Sequence, residues 1–183
     1  MKIASLNIAM HQPHSPARYA ALFKDLYAAG GIAKLGSLHG GVIGSLYPED
    51  AEDISKGING EIFRYVNLDP DEPWFNTLTR DVATDAEAKA IVIPRHLLPH
   101  LRRIPFVFRP DVHQLWFVSH DRKDSLGPGA AATIFQTLLD QISKQKGYPP
   151  IEVTPIPDAD ILERMLSVHT LEKLAIELKR PNS

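Results

Sequence analysis

Between residues 96 and 120 the chain runs HLLPHLRRIPFVFRPDVHQLWFVSH, which sets four histidines and three arginines around two apolar runs. Imidazoles can relay protons or bind metal, and guanidinium groups grip phosphates and carboxylates with paired hydrogen bonds. Four arginines, Arg95, Arg102, Arg103 and Arg109, fall between positions 95 and 109 with no acidic residue among them. They stand beside Phe106, Phe108 and Trp116, and RNA recognition commonly joins phosphate contacts to aromatic stacking. An acidic protein surface would be matched by the same four cations. The three aromatic residues are equally good core side chains. The expectation is therefore a set of core strands whose charged ends form a ligand-binding rim, with solvated surface charge as the alternative.

A second constellation follows directly. In HQLWFVSHD, strand alternation puts His113, Leu115, Phe117 and Ser119 on one side and Gln114, Trp116, Val118 and His120 on the other. His120 with Asp121 and Asp124 would then stand at a strand end before a helix amino terminus, a place suited to acid–base or phosphate chemistry. Turns and helix caps need the same residue types, because Asp124 or Ser125 could satisfy free amides ahead of Pro128. These three are the catalytic candidates. His96 and His100 have helical i, i+4 spacing, but Pro94 and Pro99 oppose a long helix there, and no glutamate fills the interval of a zinc-binding HExxH. HGGVIG at 39–44 and GPG at 127–129 match neither phosphate-loop nor dinucleotide patterns. With no cysteine in the chain, thiolate nucleophiles, disulfides and cysteine zinc sites are excluded. No metal and no cofactor are expected.

A chain of 183 residues, 44% apolar, can bury a substantial core. Its net charge of −2 supplies no global attraction to nucleic acid or anionic lipid, so any such binding needs a local patch. Residues 49–87 hold eleven acids against three bases and could pair with the arginine block internally or across a dimer. No run approaches the roughly 20 apolar residues that cross a bilayer. The opening MKIASLNIAM reads as a first strand rather than a signal peptide. A cytoplasmic protein is the expectation.

The elements that position these residues follow from periodicity. Ser15 can cap a helix that starts at Pro16, carries Tyr19, Leu22, Phe23, Leu26 and Tyr27 at helical spacing, and stops at Gly30–Gly31. A second helix should run from about Pro128 to Gly147 with Ile134, Leu138 and Ile142 inward. Strands are expected in KIASLNIAM, SLHGGVIGSLYP, NGEIFRYVNL, AIVIP, IPFVFRP, HQLWFVSH and PIEVTPIP, with a short helix from Asp158 and a last strand bearing Leu174, Ile176 and Leu178. The stretch 69–90 is an acidic excursion with Trp74 and Phe75 as anchors, and an internal boundary within one compact 1–183 domain. The fold class is α+β: a mixed, largely antiparallel sheet with helices packed mainly on one face, ferredoxin-like or related.

KIASLNI, GINGEIFRYVNLDPDEPWFN and LEKLAIELKRPN resemble stretches of a bacterial family catalogued as the domain of unknown function numbered 4747. The resemblance spans nearly the whole chain and transfers no active residue. Family members commonly continue past the Arg-Pro-Asn segment, whereas this sequence stops at Ser183. The resemblance implies a setting in phage defence or counter-defence. Together these readings lead to a non-enzymatic protein-binding or regulatory module, engaging another protein and forming a homo-oligomer. The alternative is a nucleic-acid-binding protein or nuclease of a bacterial conflict system.

Overall fold

Ser15 begins the first helix as expected: its hydroxyl accepts a hydrogen bond from the Arg18 amide at 3.2 Å, Pro16 follows, and Gly30 ends the helix in a left-handed conformation. That local chemistry recurs through a computed structural model, which describes residues 1–68, 72–94, 96–121 and 124–157. In chain order the elements are β1 (Lys2–Met10), α1 (Pro16–Ala29), β2 (Ala33–Leu35), β3 (His39–Pro48), a 3-10 turn (Ile54–Lys56), β4 (Ile58–Val66), β5 (Phe75–Asn76), β6 (Asp81–Val82), α2 (Asp85–Lys89), β7 (Arg102–Arg109), β8 (Gln114–Asp121), β9 (Asp124–Ser125), α3 (Pro128–Lys146) and β10 (Ile151–Ile156).

The main sheet has the order β10-β1-β8-β7-β4-β3-β2, with every neighbouring pair antiparallel and β9 added to the end of β8. The α+β class and the antiparallel sheet with helices on one face are present. The sheet is wider than a four-stranded layer, and it curls. Helix α3 packs against both edge strands, β10 and β2. The Gln136 side chain donates to Ile151 O at 2.9 Å and accepts from Val153 N at 2.8 Å, so one amide caps the free edge of β10. At the opposite edge, Gln141 donates to Ile32 O at 3.1 Å, just before β2. A sheet whose two edges both reach the same helix forms a half-barrel, with α1 and α3 in its concave side.

The core fills that concavity. Leu6, Ile8 and Met10 of β1, Ile58 and Ile62 of β4, Ile104, Phe106 and Phe108 of β7, and Leu115 and Phe117 of β8 meet Leu22, Phe23 and Leu26 of α1 and Ile134, Leu138 and Ile142 of α3. Phe23 stacks on Phe108 with centroids 4.4 Å apart, and Phe135 meets Phe106 edge-on at 5.5 Å. Close approach of α3 requires Gly41 of β3, where an added Cβ would come within 2.8 Å of Ile134.

Several expectations need correction. AIVIP forms no strand: Ile91, Val92 and Ile93 are exposed in an irregular segment, and the prolines at 94 and 99 leave no pairing partner in register. Phe75 does not anchor the acidic excursion, being 67% exposed on the β5–β6 hairpin; Trp74 beside it is half-buried. Ser125 does not cap α3, whose N-cap is Gly127 with no side-chain cap hydrogen bond, because Ser125 is taken into β9; and Tyr27, at the end of the expected α1 stripe, is exposed. The expected helix from Asp158 and the last strand lie outside the described residues.

Candidate functional site on the open face of the sheet

Alternation along β7 decides where the arginines go. Ile104, Phe106 and Phe108 turn into the core, so Arg103, Pro105, Val107 and Arg109 project from the opposite face, which carries no helix among the described residues. Arg102 has the other parity and sits across from Arg64 of β4 on the helix side of the sheet. The adjacent Arg102 and Arg103 therefore belong to different faces. Arg103 and Arg109 share a face but are six residues apart along the strand, about 20 Å at the usual rise. Arg95 lies outside the described residues. The described part of the block is thus split into three separate environments.

Each environment has its own partners. Arg103 lies over the Phe63 ring with its guanidinium carbon 5.2 Å from the centroid. Arg64 donates to the Ser125 carbonyl at 2.8 Å, while its Nε is buried without an acceptor. Arg109 pairs with Asp111 at 3.2 Å on the rim of an open crevice of about 800 Å³, lined also by Pro16, Glu49, Asp50 and Lys56. On that crevice Lys56 meets Asp50 at 2.6 Å, and this bond holds the Asp50 carboxyl below the usual carboxylate range. Both of these cations already have an acidic neighbour, which weakens the crevice as an anion site.

Of the three catalytic candidates, His120 and Asp121 do not face each other. His120 and Asp121 are consecutive on β8, both exposed, and paired across the ladder with Ser125 and Asp124 respectively. Consecutive strand residues point to opposite faces, so the imidazole and the Asp121 carboxylate diverge. Among the described residues, no group of three or more histidine, aspartate or glutamate side chains converges in a way that could hold a metal ion.

The feature that the motif search missed is apolar. On the face opposite α1 and α3 the register brings Ile3 opposite Val118, Trp116 opposite Val107, and Val107 opposite Asn59, with Tyr47 next across β3. Ile3 is 63% exposed, Tyr47 52% and Val107 36%. With Pro105 they line a shallow groove of about 220 Å³. A larger open concavity of about 730 Å³ adjoins it, sharing Ile3 and Trp116 and reaching Ile156 at the end of β10 and Pro157 after it. Half-buried Trp116 and Phe63 and exposed Tyr47 put three aromatic rings on one antiparallel face. The signal was available in the period-two pattern, since Ile3, Val107 and Val118 occupy positions that a one-sided strand would fill with polar residues. Among the described residues, no helix is long and apolar enough to cross a membrane.

The family model described as "Domain of unknown function (DUF4747)" matches residues 1–183. No curated protein and no solved structure matches.

Proposed function

The chain belongs to the DUF4747 family, and we propose that it is a non-enzymatic protein-binding or regulatory module whose open sheet face is the binding surface. The observation that carries this reading is the strip of Ile3, Trp116, Val107, Pro105 and Tyr47, exposed or half-buried on the face opposite both core helices. Contiguous apolar surface on a folded domain marks an interaction site more often than scattered exposed residues do. The partner that fits is a protein presenting an apolar ridge with an acidic residue beside it. Such an acid would meet Arg103, which lies over the Phe63 ring and flanks Pro105 on β7.

A second reading is favoured by one observation: Trp116, Tyr47 and Phe63 share that face with Arg103 and Arg109, an arrangement on which single-stranded nucleic acid could stack. The two separate by salt and by nuclease. The deciding experiment compares wild type, an Ile3→Asp/Val107→Asp double variant and a His120→Ala control as baits in the native cell, with nuclease-treated captures. The reading expects partner proteins that survive nuclease, are lost with the double variant and are kept by the control. Recovery equal for all three baits would refute the open face as the surface, and recovery abolished by nuclease would favour nucleic acid. The defence setting belongs to the same proposal, and a phage challenge with and without the open-face variant tests it.

The ferredoxin-like relation is likewise our proposal. The strands β10-β1-β8-β7, with α1 following β1 and α3 preceding β10, are compatible with that nucleus, extended at one edge by β4, β3 and β2.

A further inference from the structure

At the end of the sheet away from β9, three rings pack against one another. His113 closes the turn between β7 and β8 with a left-handed backbone, φ 58°, and is only 9% exposed. Its carbonyl accepts the Ile8 amide at 2.8 Å, which ties the turn to β1. Its ring lies 4.9 Å from that of Tyr19 in the first turn of α1, and 5.0 Å, edge-on, from that of His14. His14 belongs to the 11–15 connection between β1 and α1, and Gln12 Nε2 lies 3.1 Å from its Nε2. Tyr19 is fully buried and its hydroxyl accepts the Met10 amide at 2.7 Å. The connection is fastened at its start by the His11 amide, which donates to Pro150 O at 2.9 Å, and further along by two imidazoles and a phenol.

We propose that the His14–His113 contact is an acid-sensitive latch: neutral imidazoles hold the 11–15 connection and the start of α1 against the β7–β8 turn, and protonation of both releases them. Two like charges 5.0 Å apart beside a buried ring repel and lose hydration, whereas the neutral pair packs as aromatic rings. Tyr19 on α1 and His14 on the connection lie against the His113 ring, Asp111 stands two residues before it on the turn, Arg109 ends β7 beside Asp111, and Glu49, Asp50 and Lys56 line the crevice that Asp111 and Arg109 share. Arg109 and Asp111 pair with each other, as do Lys56 and Asp50, so neither pair brings a net charge to compensate a doubly protonated latch. Burial, and secondarily His14, holds the His113 imidazole below its usual range, with Asp111 opposing. For a base depressed in the folded state, the stabilisation is present above the unfolded value, about 6.5, and is lost as pH falls through the folded value. Pro16, the first residue of α1, lines the 800 Å³ crevice, so release would widen that crevice.

Amide hydrogen exchange of the intact chain tests the latch at pH 7.5 and pH 5, after correction for intrinsic exchange. Wild type should lose protection over residues 10–19 at the lower pH, while α3 amides around Leu138 keep theirs. His113→Asn, a residue that tolerates the left-handed conformation, should make protection of 10–19 independent of pH. His14→Gln, which keeps the turn residue intact, should reduce the loss. Constant protection in wild type, an equal loss in α3, or a loss unchanged in both variants would overturn the proposal.

Discussion

Phe108 and Val107 are neighbours on β7, and exchanging each for alanine tests the two-faced sheet on which the account rests. Phe108 is fully buried, stacked on Phe23 at 4.4 Å and 5.6 Å from Tyr19. A buried phenylalanine removes roughly 150–250 Å² from water, which at about 25 cal/mol per Å² is about 4–6 kcal/mol. The alanine methyl retains part of this and the surroundings relax part way, so Phe108→Ala should cost about 3–5 kcal/mol. Val107→Ala removes two methyls from the open face and should cost less than about 1 kcal/mol, mostly strand propensity. With a urea slope of about 2 kcal/mol/M, the midpoint should fall by about 1.5–2.5 M for Phe108→Ala and by under about 0.5 M for Val107→Ala. Tryptophan fluorescence and circular dichroism together would follow the transition, with Trp116 as a reporter within the sheet. Equal shifts, or a larger one for Val107→Ala, would refute the assignment of faces.

Other expectations can be measured on the same protein. Ser15→Ala should cost about 1 kcal/mol in urea unfolding, because the Arg18 amide loses its side-chain acceptor. Gly41→Val should cost about 1–3 kcal/mol, since the new side chain meets Ile134 and forces α3 outward. Burial and the neighbouring Asp25 carboxylate, 2.8 Å away, push the Tyr148 phenol up to about 12. Its raised value means that its contribution is intact below the unfolded value of about 10 and is lost as pH rises from there through the folded value. Stability curves of wild type and Tyr148→Phe should thus differ at pH 8 and converge at high pH; a constant difference would contradict this.

Helices were the most legible part of the sequence. Ser15, Pro16, Gly30 and Gly147 stand where cap chemistry requires them, and Leu22, Phe23, Ile134, Leu138 and Ile142 are buried as their spacing demands. Strands were harder because pairing is non-local. AIVIP is as apolar as IPFVFRP, yet only the second finds neighbours, β4 and β8, on both sides. Curling of the sheet depends on Gln136 and Gln141 reaching opposite edges, which no local pattern encodes. The arginine block was legible as charge and not as geometry. Period-two alternation separates Arg102 from Arg103, and applying that rule to those two residues would have divided the proposed rim in advance. The apolar strip was overlooked although alternation marks it: Ile3, Val107 and Trp116 have the parity opposite to Leu6, Phe106 and Leu115, the core residues of the same strands. The pairing of His14 with His113 joins positions 99 residues apart, by subtraction of their numbers, and only the fold brings them together.

Footprinting of the chain bound to a captured partner tests the central claim most directly. Hydroxyl-radical oxidation of free and bound protein, read by mass spectrometry, would report Ile3, Tyr47, Trp116 and Val107 separately from Tyr27 and Leu38, which are exposed elsewhere. The account predicts protection concentrated at the first four residues. Unchanged reactivity there, with protection at another surface, would contradict it.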